Sequence, residues 1–238
     1  MLELKNISFQ AEDEKEILKD VSLKIDDKIV VITGPNGGGK STLAKVIAGI
    51  VTPTGGQILL DGEDITGYSV TERANAGISL AFQQPVRFNG LTVRDLITIA
   101  AGKELNVSEA CSYLSEVGLC AKDYIDRELN ASLSGGEIKR IEIATILARG
   151  SKFSIFDEPE AGIDLWSFQS LIRVFEKMQK EYKGTILIIS HQERILDIAD
   201  KIIYIKDGMV EQYGPKDEIL KTLINAAQPG CDVLMQKI

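Results

Sequence analysis

Gly34-Pro35-Asn36-Gly37-Gly38-Gly39-Lys40-Ser41-Thr42 decides how this chain is read. The stretch fits G-x-x-x-x-G-K-[ST], in which backbone N–H groups cradle phosphate oxygens and the lysine reaches their outer atoms. Before it, Ile29-Val30-Val31-Ile32-Thr33 is apolar and β-branched, which predicts a buried strand. After it, Leu43-Ala44-Lys45-Val46-Ile47-Ala48-Gly49 reads as a helix ended by glycine. Strand, loop and helix start in that order focus free N–H groups and the positive end of a helix dipole on one point. Glycines in regular structure cost about 0.5–1 kcal/mol each against alanine, so a run of them wants a backbone reason. A glycine turn that merely precedes Lys-Ser is the plain alternative, and the flanking strand and helix weigh against it.

Working outward, 238 residues are enough for one large domain, or a domain with a subdomain. A net charge of −8 argues against non-specific nucleic-acid binding, so no nucleic-acid partner is expected. Met1 leads into Glu3 and Lys5 without a signal-peptide pattern, and no run reaches the roughly 18 apolar residues of a membrane span. The expectation is a cytoplasmic chain whose membrane role, if any, comes through a partner. Cys111, Cys120 and Cys231 are odd in number with no C-x-x-C spacing. That speaks against a disulfide framework and against a self-contained zinc or iron–sulfur site.

Taken in order, Leu2–Phe9 and Ile17–Ile25 alternate apolar and polar residues, which predicts a two-stranded antiparallel lead-in. Short strands follow at Gln57–Leu60 and Ile78–Phe82. From Gln84 to about Asn130 the pattern is helical, at Val93–Ala101 and Ser108–Val117, with no strand-like run. The α/β pattern resumes with a helix at Glu137–Arg149, strands at Lys152–Phe156 and Thr185–Ser190, and a long helix at Leu165–Tyr182 between them. Asp207-Gly208 marks a hairpin between Lys201–Ile205 and Met209–Tyr213, and Lys216 to about Ala227 is a last helix. The tail from Pro229-Gly230 onward receives no reading. The fold expected is α/β: a largely parallel sheet core at 1–83 and 134–238, with the antiparallel lead-in and a helical subdomain inserted at 84–133.

Four features stand at strand ends or helix starts, where a parallel α/β sheet gathers its binding groups. Asp157-Glu158 closes an apolar strand; one carboxylate there suits Mg²⁺, and its neighbour can polarise a water. A solvated acidic turn is the plain alternative, favoured if the pair stood alone. Ser134-Gly135-Gly136-Glu137 opens a helix and so forms a second anion-facing N-terminus. Gln83 ends a strand, from which its amide can reach a metal-bound water. His191, the only histidine, follows the buried strand Thr185–Ser190. A lone histidine is more often a surface or satisfied core residue, and its position at that strand end is what reverses the reading.

Together, Gly34–Thr42, Gln83, Leu133–Glu137, Asp157-Glu158, Asp164 and His191 resemble the ATP-binding cassette (ABC) ATPases, whose motifs occur in this order. The resemblance implies the P-loop NTPase fold, ATP and Mg²⁺ as cofactors, ATP hydrolysis, and a head-to-tail homodimer. It implies that Gly34, Pro35, Asn36, Gly37, Gly38, Gly39, Lys40, Ser41 and Thr42 hold the phosphates. Ser41, Gln83 and Asp157 would serve the metal, Glu158 would orient or activate water, and His191 would touch the γ-phosphate. Ser134, Gly135, Gly136 and Asp164 would act across the dimer.

Within that family the chain resembles the SufC-type ATPases of iron–sulfur cluster assembly. The resemblance rests on Ala81–Val86, Ser134–Arg140, Ala161-Gly162-Ile163-Asp164 and His191–Asp197. Ala11 falls where many transporter cassettes carry an adenine-stacking ring, so stacking is not expected here. Glu158-Pro159-Glu160, by contrast, is closer to a transporter subunit. A soluble Suf-type scaffold is the partner the resemblance implies, and a membrane permease is the alternative. A surface at Pro85, Val86, Phe88 and Leu91 is expected to meet that partner, or else to pack within the subdomain. DNA-repair ATPases of related fold fit poorly, since the chain has no long heptad pattern.

Overall fold

A computed structural model describes residues 1–227 apart from 13, 85, 87, 131 and 132. The chain begins with β1 (Leu2–Gln10), β2 (Glu16–Ile25), β3 (Ile29–Thr33) and α1 (Lys40–Ala48). Next come β4 (Gly55–Leu60), β5 (Glu63–Asp64), α2 (Val70–Ala76) and β6 (Ile78–Ala81). The following stretch holds β7 (Phe88–Thr92), α3 (Val93–Ala101), α4 (Val107–Glu116), α5 (Ala121–Tyr124) and β8 (Glu128–Leu129). Then α6 (Gly135–Arg149), β9 (Phe153–Asp157), α7 (Leu165–Glu181) and β10 (Thr185–Ile189) rebuild the core. The described chain closes with α8 (Glu193–Asp197), β11 (Lys201–Lys206), β12 (Met209–Pro215) and α9 (Lys216–Ala227).

The central sheet has the order β12-β11-β3-β10-β9-β6. Strands β11, β3, β10, β9 and the edge strand β6 run parallel, and only β12, at the other edge, is antiparallel. Side chains alternate across this sheet and both faces are covered. Ile29, Val31, Phe156, Ile186 and Ile188 pack with residues of α3, α4, α6 and α7. Val30, Ile32, Ile155, Leu187 and Ile189 pack on the other face with α1 and the lead-in strands. Each fully buried Val or Ile contributes roughly 1.5–3 kcal/mol, which is why β3, β9 and β10 are buried at every position.

The fold is the expected α/β class, with three local differences. The lead-in is a four-stranded sheet of order β2-β1-β4-β5, because β4 pairs with β1 and sets Ile58 and Leu60 over Leu4 and Leu2. The stretch expected to lack strands contains the ladder β7–β8, joining Phe88 to Leu129 and Thr92 to Glu128. Gly90, with φ of +82°, breaks the alternation of β7 and hides it from pattern reading. Helices α2, α5 and α8 were not anticipated either. Val93, Ile97, Ala110 and Leu114 of α3 and α4 join the same core as Phe156 and Phe175. Cys111 and Cys120 are free thiols, and the tail bearing Cys231 lies outside the described residues.

Candidate functional site

The parallel register brings four strand ends to one level: Ile189 lies opposite both Ile32 and Asp157, and Ala81 opposite Phe156. The residues that follow these strands therefore share one edge, the usual place for a ligand in an open α/β sheet. Gly34 leaves β3 with φ of +138°, and a Cβ there would stand 2.0 Å from the Ile205 carbonyl oxygen. Gly39 has φ of +100° and approaches Leu18 Cδ2, which would be 2.9 Å from a Cβ. Only glycine satisfies both the left-handed backbone and the close approach. These two points fix the loop and aim the start of α1 across it.

Lys40 is buried, and its Nζ donates to the Gly34 and Pro35 carbonyls at 2.8 Å each. Burial holds its pKa below the ordinary lysine value, while Glu158 and Asp157 pull it back up. Ser41 Oγ donates to Asp157 Oδ1 at 3.0 Å. Asp157 is 6% exposed, and burial raises its pKa against the lowering effect of the Ser41 bond. Gln83 Nε2 donates to Glu158 Oε2 at 2.5 Å. The Glu158 backbone has φ of +44°, and its N–H donates to the Ile189 carbonyl at 2.9 Å. His191 is exposed on the turn after β10. The Ser190 hydroxyl braces that turn, donating to Glu160 and accepting from the Gln192 N–H at 3.0 Å. Burial raises the Glu160 pKa, opposed first by the Ser190 bond.

The second anion-facing helix start is a separate block. Ser134 caps α6, and the Glu137 carboxylate accepts its N–H at 2.6 Å while also taking the Tyr124 hydroxyl proton bond. A Cβ on Gly135 would lie 3.2 Å from the Gly162 oxygen, and one on Gly136 would lie 3.0 Å from Ser167 Oγ. Asp164 caps α7 through the N–H groups of Trp166 and Ser167, at 2.9 and 3.0 Å. Ser134–Gly136 and the Asp164 loop thus pack together. Among the described residues, no hydrogen bond or ion pair joins this block to Gly34–Thr42.

A cleft of about 390 Å³ runs along the phosphate loop between Lys15, Ile17, Lys19, Lys40, Thr42 and Gly208, with no aromatic ring in its lining. Ser41, Asp157 and Gln83 offer hard oxygen donors beside a lysine and a helix start, a set that fits Mg²⁺ held jointly with phosphates. Three residues near this edge escaped sequence reading as site residues: Glu160, and on α6 the buried Lys139 and half-buried Glu142. A lysine and a glutamate three apart on α6 were the available signal for the pair.

The sequence profile described as "ABC transporter" matches residues 18–161. An uncharacterized ABC transporter ATP-binding protein of Methanocaldococcus jannaschii is 39% identical over 214 residues, covering 86% of this chain and 85% of that protein. The spermidine/putrescine import ATP-binding protein of Mesoplasma florum is 31% identical, covering 92% of this chain and 63% of that protein. Among solved structures, a dimeric ATP-binding cassette in a post-hydrolysis state bound to ADP and Pi superposes with a TM-score of 0.80. It is 26% identical, over 91% of this chain and 99% of that one. No helix among the described residues is long and apolar enough to cross a membrane.

Proposed function

This chain belongs to the ABC transporter family, and from that premise we propose that it is the ATP-binding subunit of a membrane transporter. Members of the family are ATPases that use ATP with Mg²⁺ and dimerise, so hydrolysis of ATP to ADP and phosphate is the activity of the chain. The transporter reading is supported by the names of its relatives and by one surface. Phe82, Val86, Phe88 and Ile99 are exposed and line an apolar groove of about 280 Å³ beside Gln83. A segment that carries both a site residue and an apolar surface suits transmission between nucleotide and permease. On this reading 84–133 is the partner-facing subdomain, 1–83 and 134–238 are the nucleotide-binding core, and the chain works at the cytoplasmic face of a membrane.

Within the site, the loop Gly34–Thr42 binds the phosphates, and Lys40 exchanges its loop carbonyls for phosphate oxygens. Ser41, Asp157 and Gln83 hold Mg²⁺, which when bound neutralises phosphate charge. Glu158, positioned by Gln83, orients the attacking water and accepts its proton, and His191 meets the γ-phosphate. Ser134, Gly135, Gly136 and Asp164 close over the nucleotide of a second copy.

A second reading, in which the partner is a soluble Suf-type iron–sulfur scaffold, rests on Glu137 and on Gly162-Ile163-Asp164 in the motifs quoted above. None of the relatives described here carries that name. Affinity purification of the tagged chain from solubilised membranes decides between the two. Recovery of a multi-span membrane protein is expected; a soluble partner with bound iron and no membrane protein would reverse the order of the readings.

A further inference from the structure

We propose that Lys139 and Glu142 are positioning residues, clamping the Phe82 peptide to α6 and so holding Gln83 against Glu158. Both backbone polar groups of one residue are taken by one helix. The Phe82 N–H donates to Glu142 Oε1 at 3.1 Å, and the Phe82 carbonyl accepts from Lys139 Nζ. Phe82 is the residue before Gln83, whose amide then reaches Glu158. From α6 to the carboxylate proposed to act on water there are thus only two hydrogen-bonded steps.

The pair is poorly explained as a stabilising device. The Lys139 side chain is 3% exposed, and its nitrogen stands 3.8 Å from Glu142 Oε2. That oxygen is buried without a hydrogen bond. Burying two charges in loose contact costs more than it returns, and apolar side chains of similar size would serve packing at least as well. What apolar side chains cannot do is hold the N–H and the carbonyl of one residue at once. Burial holds the Lys139 pKa below the ordinary lysine value, opposed first by Glu142 and then by Asp157, Glu160 and Glu158. Gly135, at the start of the same helix, lies about 6 Å along the axis from Lys139 at 1.5 Å per residue. The helix that opens with Ser134-Gly135-Gly136 is therefore the one that fixes Gln83.

The inference rests on the role given above to Gln83 and Glu158 and is independent of which partner the chain serves. Two measurements on the purified full chain test it. In the nucleotide-free protein, Glu142→Ala and Lys139→Met speed amide hydrogen exchange at Phe82 by about tenfold or more, while α6 and β9 keep their protection. In ATPase assays the same variants lower kcat by roughly tenfold or more, with KM for ATP within about twofold, as misplacement of a reacting group does. Glu142→Gln keeps an acceptor for the Phe82 N–H and restores most of both effects. Combining Glu142→Ala with Gln83→Ala gives little further loss beyond Gln83→Ala alone.

Unchanged exchange at Phe82, or additive losses in the double variant, overturns the clamp while leaving the role of Gln83 intact. Wild-type turnover by Gln83→Ala removes that role and the clamp with it. Should Lys139→Met fail to fold, the two Glu142 variants carry the test alone.

Discussion

Glu158 holds a left-handed backbone (φ +44°) that a residue bearing a Cβ seldom adopts, at a cost of order 1–3 kcal/mol. The bond from its N–H to Ile189 and the bond from Gln83 to its carboxylate hold it there. Glu158→Gln keeps the shape and an acceptor oxygen but removes the base. It is expected to lower turnover by about 10²-fold or more while ATP binding survives, leaving a trapped ATP-bound dimer. Single-turnover hydrolysis with light scattering reads both, and hydrolysis near the wild-type rate would refute the role.

Glu142 gives a pH prediction. Burial raises its pKa from 4.5 to about 7, against Lys139 and the Phe82 N–H. Between those values the folded chain holds a proton that the unfolded chain has released, so this group's contribution to stability falls as pH rises from about 4.5 to 7. The loss is at most about 3 kcal/mol, at 1.36 kcal/mol per pKa unit. Glu142→Gln removes that slope, so denaturant melts of the two proteins should converge at low pH and separate toward pH 7, the variant being the more stable. Parallel curves would count against the raised pKa. The phosphate loop was legible because its spacing is imposed by phosphate geometry. Lys139 and Glu142 were not, because α6 also carries Glu137, Arg140 and Arg149 and sequence does not say which of its charged residues turns inward, and Glu160 sits in the turn after β9 where no spacing rule marks it.

The elements most easily read were the ones buried on both faces: β3, β9 and β10 are short apolar runs that turn polar where they leave the sheet. Helix α2 went unread although Ser69 and Glu72 form a capping box, as do Thr92 with Asp95, Asn106 with Glu109 and Ser134 with Glu137. That shared start signal was a better guide than periodicity, which seven residues are too few to display. Helix α2 also secures α1. Arg73, 1% exposed, donates to the Val46 and Ile47 carbonyls at the end of α1, at 2.6 and 2.9 Å, and to Thr66 and Tyr68 oxygens. The guanidinium satisfies the Ile47 carbonyl, adds a second donor to the Val46 carbonyl that also takes the Gly49 N–H, and sits at the negative end of the dipole that starts in the phosphate loop. Arg73→Met costs about 1–3 kcal/mol for each acceptor that it leaves unpaired. A loss of roughly 3 kcal/mol lowers Tm by about 6–12 °C in a chain of this size. Calorimetry reads it, and a fall under about 2 °C would mean that water replaces the guanidinium.

At the scale of the whole molecule, among the described residues no hydrogen bond or ion pair joins Gly34–Thr42 to Ser134–Gly136, the two groups proposed above as halves of one hydrolytic site. Ser41 bonds Asp157 and Gln83 bonds the adjacent Glu158, while Gly135 and Gly136 pack against Gly162 and Ser167 beside Asp164. The second anion-facing helix start was legible in the sequence, and its place across a dimer is what the family resemblance implies. The partner was not, because exposed Phe82, Val86, Phe88 and Ile99 mark a surface by shape and apolarity, and no spacing rule encodes what covers it. If the two halves meet only between copies, each site of a head-to-tail pair takes Lys40 from one chain and Ser134 from the other. In the Glu158→Gln background, Lys40→Ala and Ser134→Arg chains should each stay unassociated in ATP and Mg²⁺. Mixed in equal amounts they form pairs with one complete site, and ATP-dependent dimers return in light scattering. Should neither the mixture nor the unmodified Glu158→Gln chain associate, the shared site fails. Association of Ser134→Arg alone would place the second half of the site elsewhere than at the start of α6.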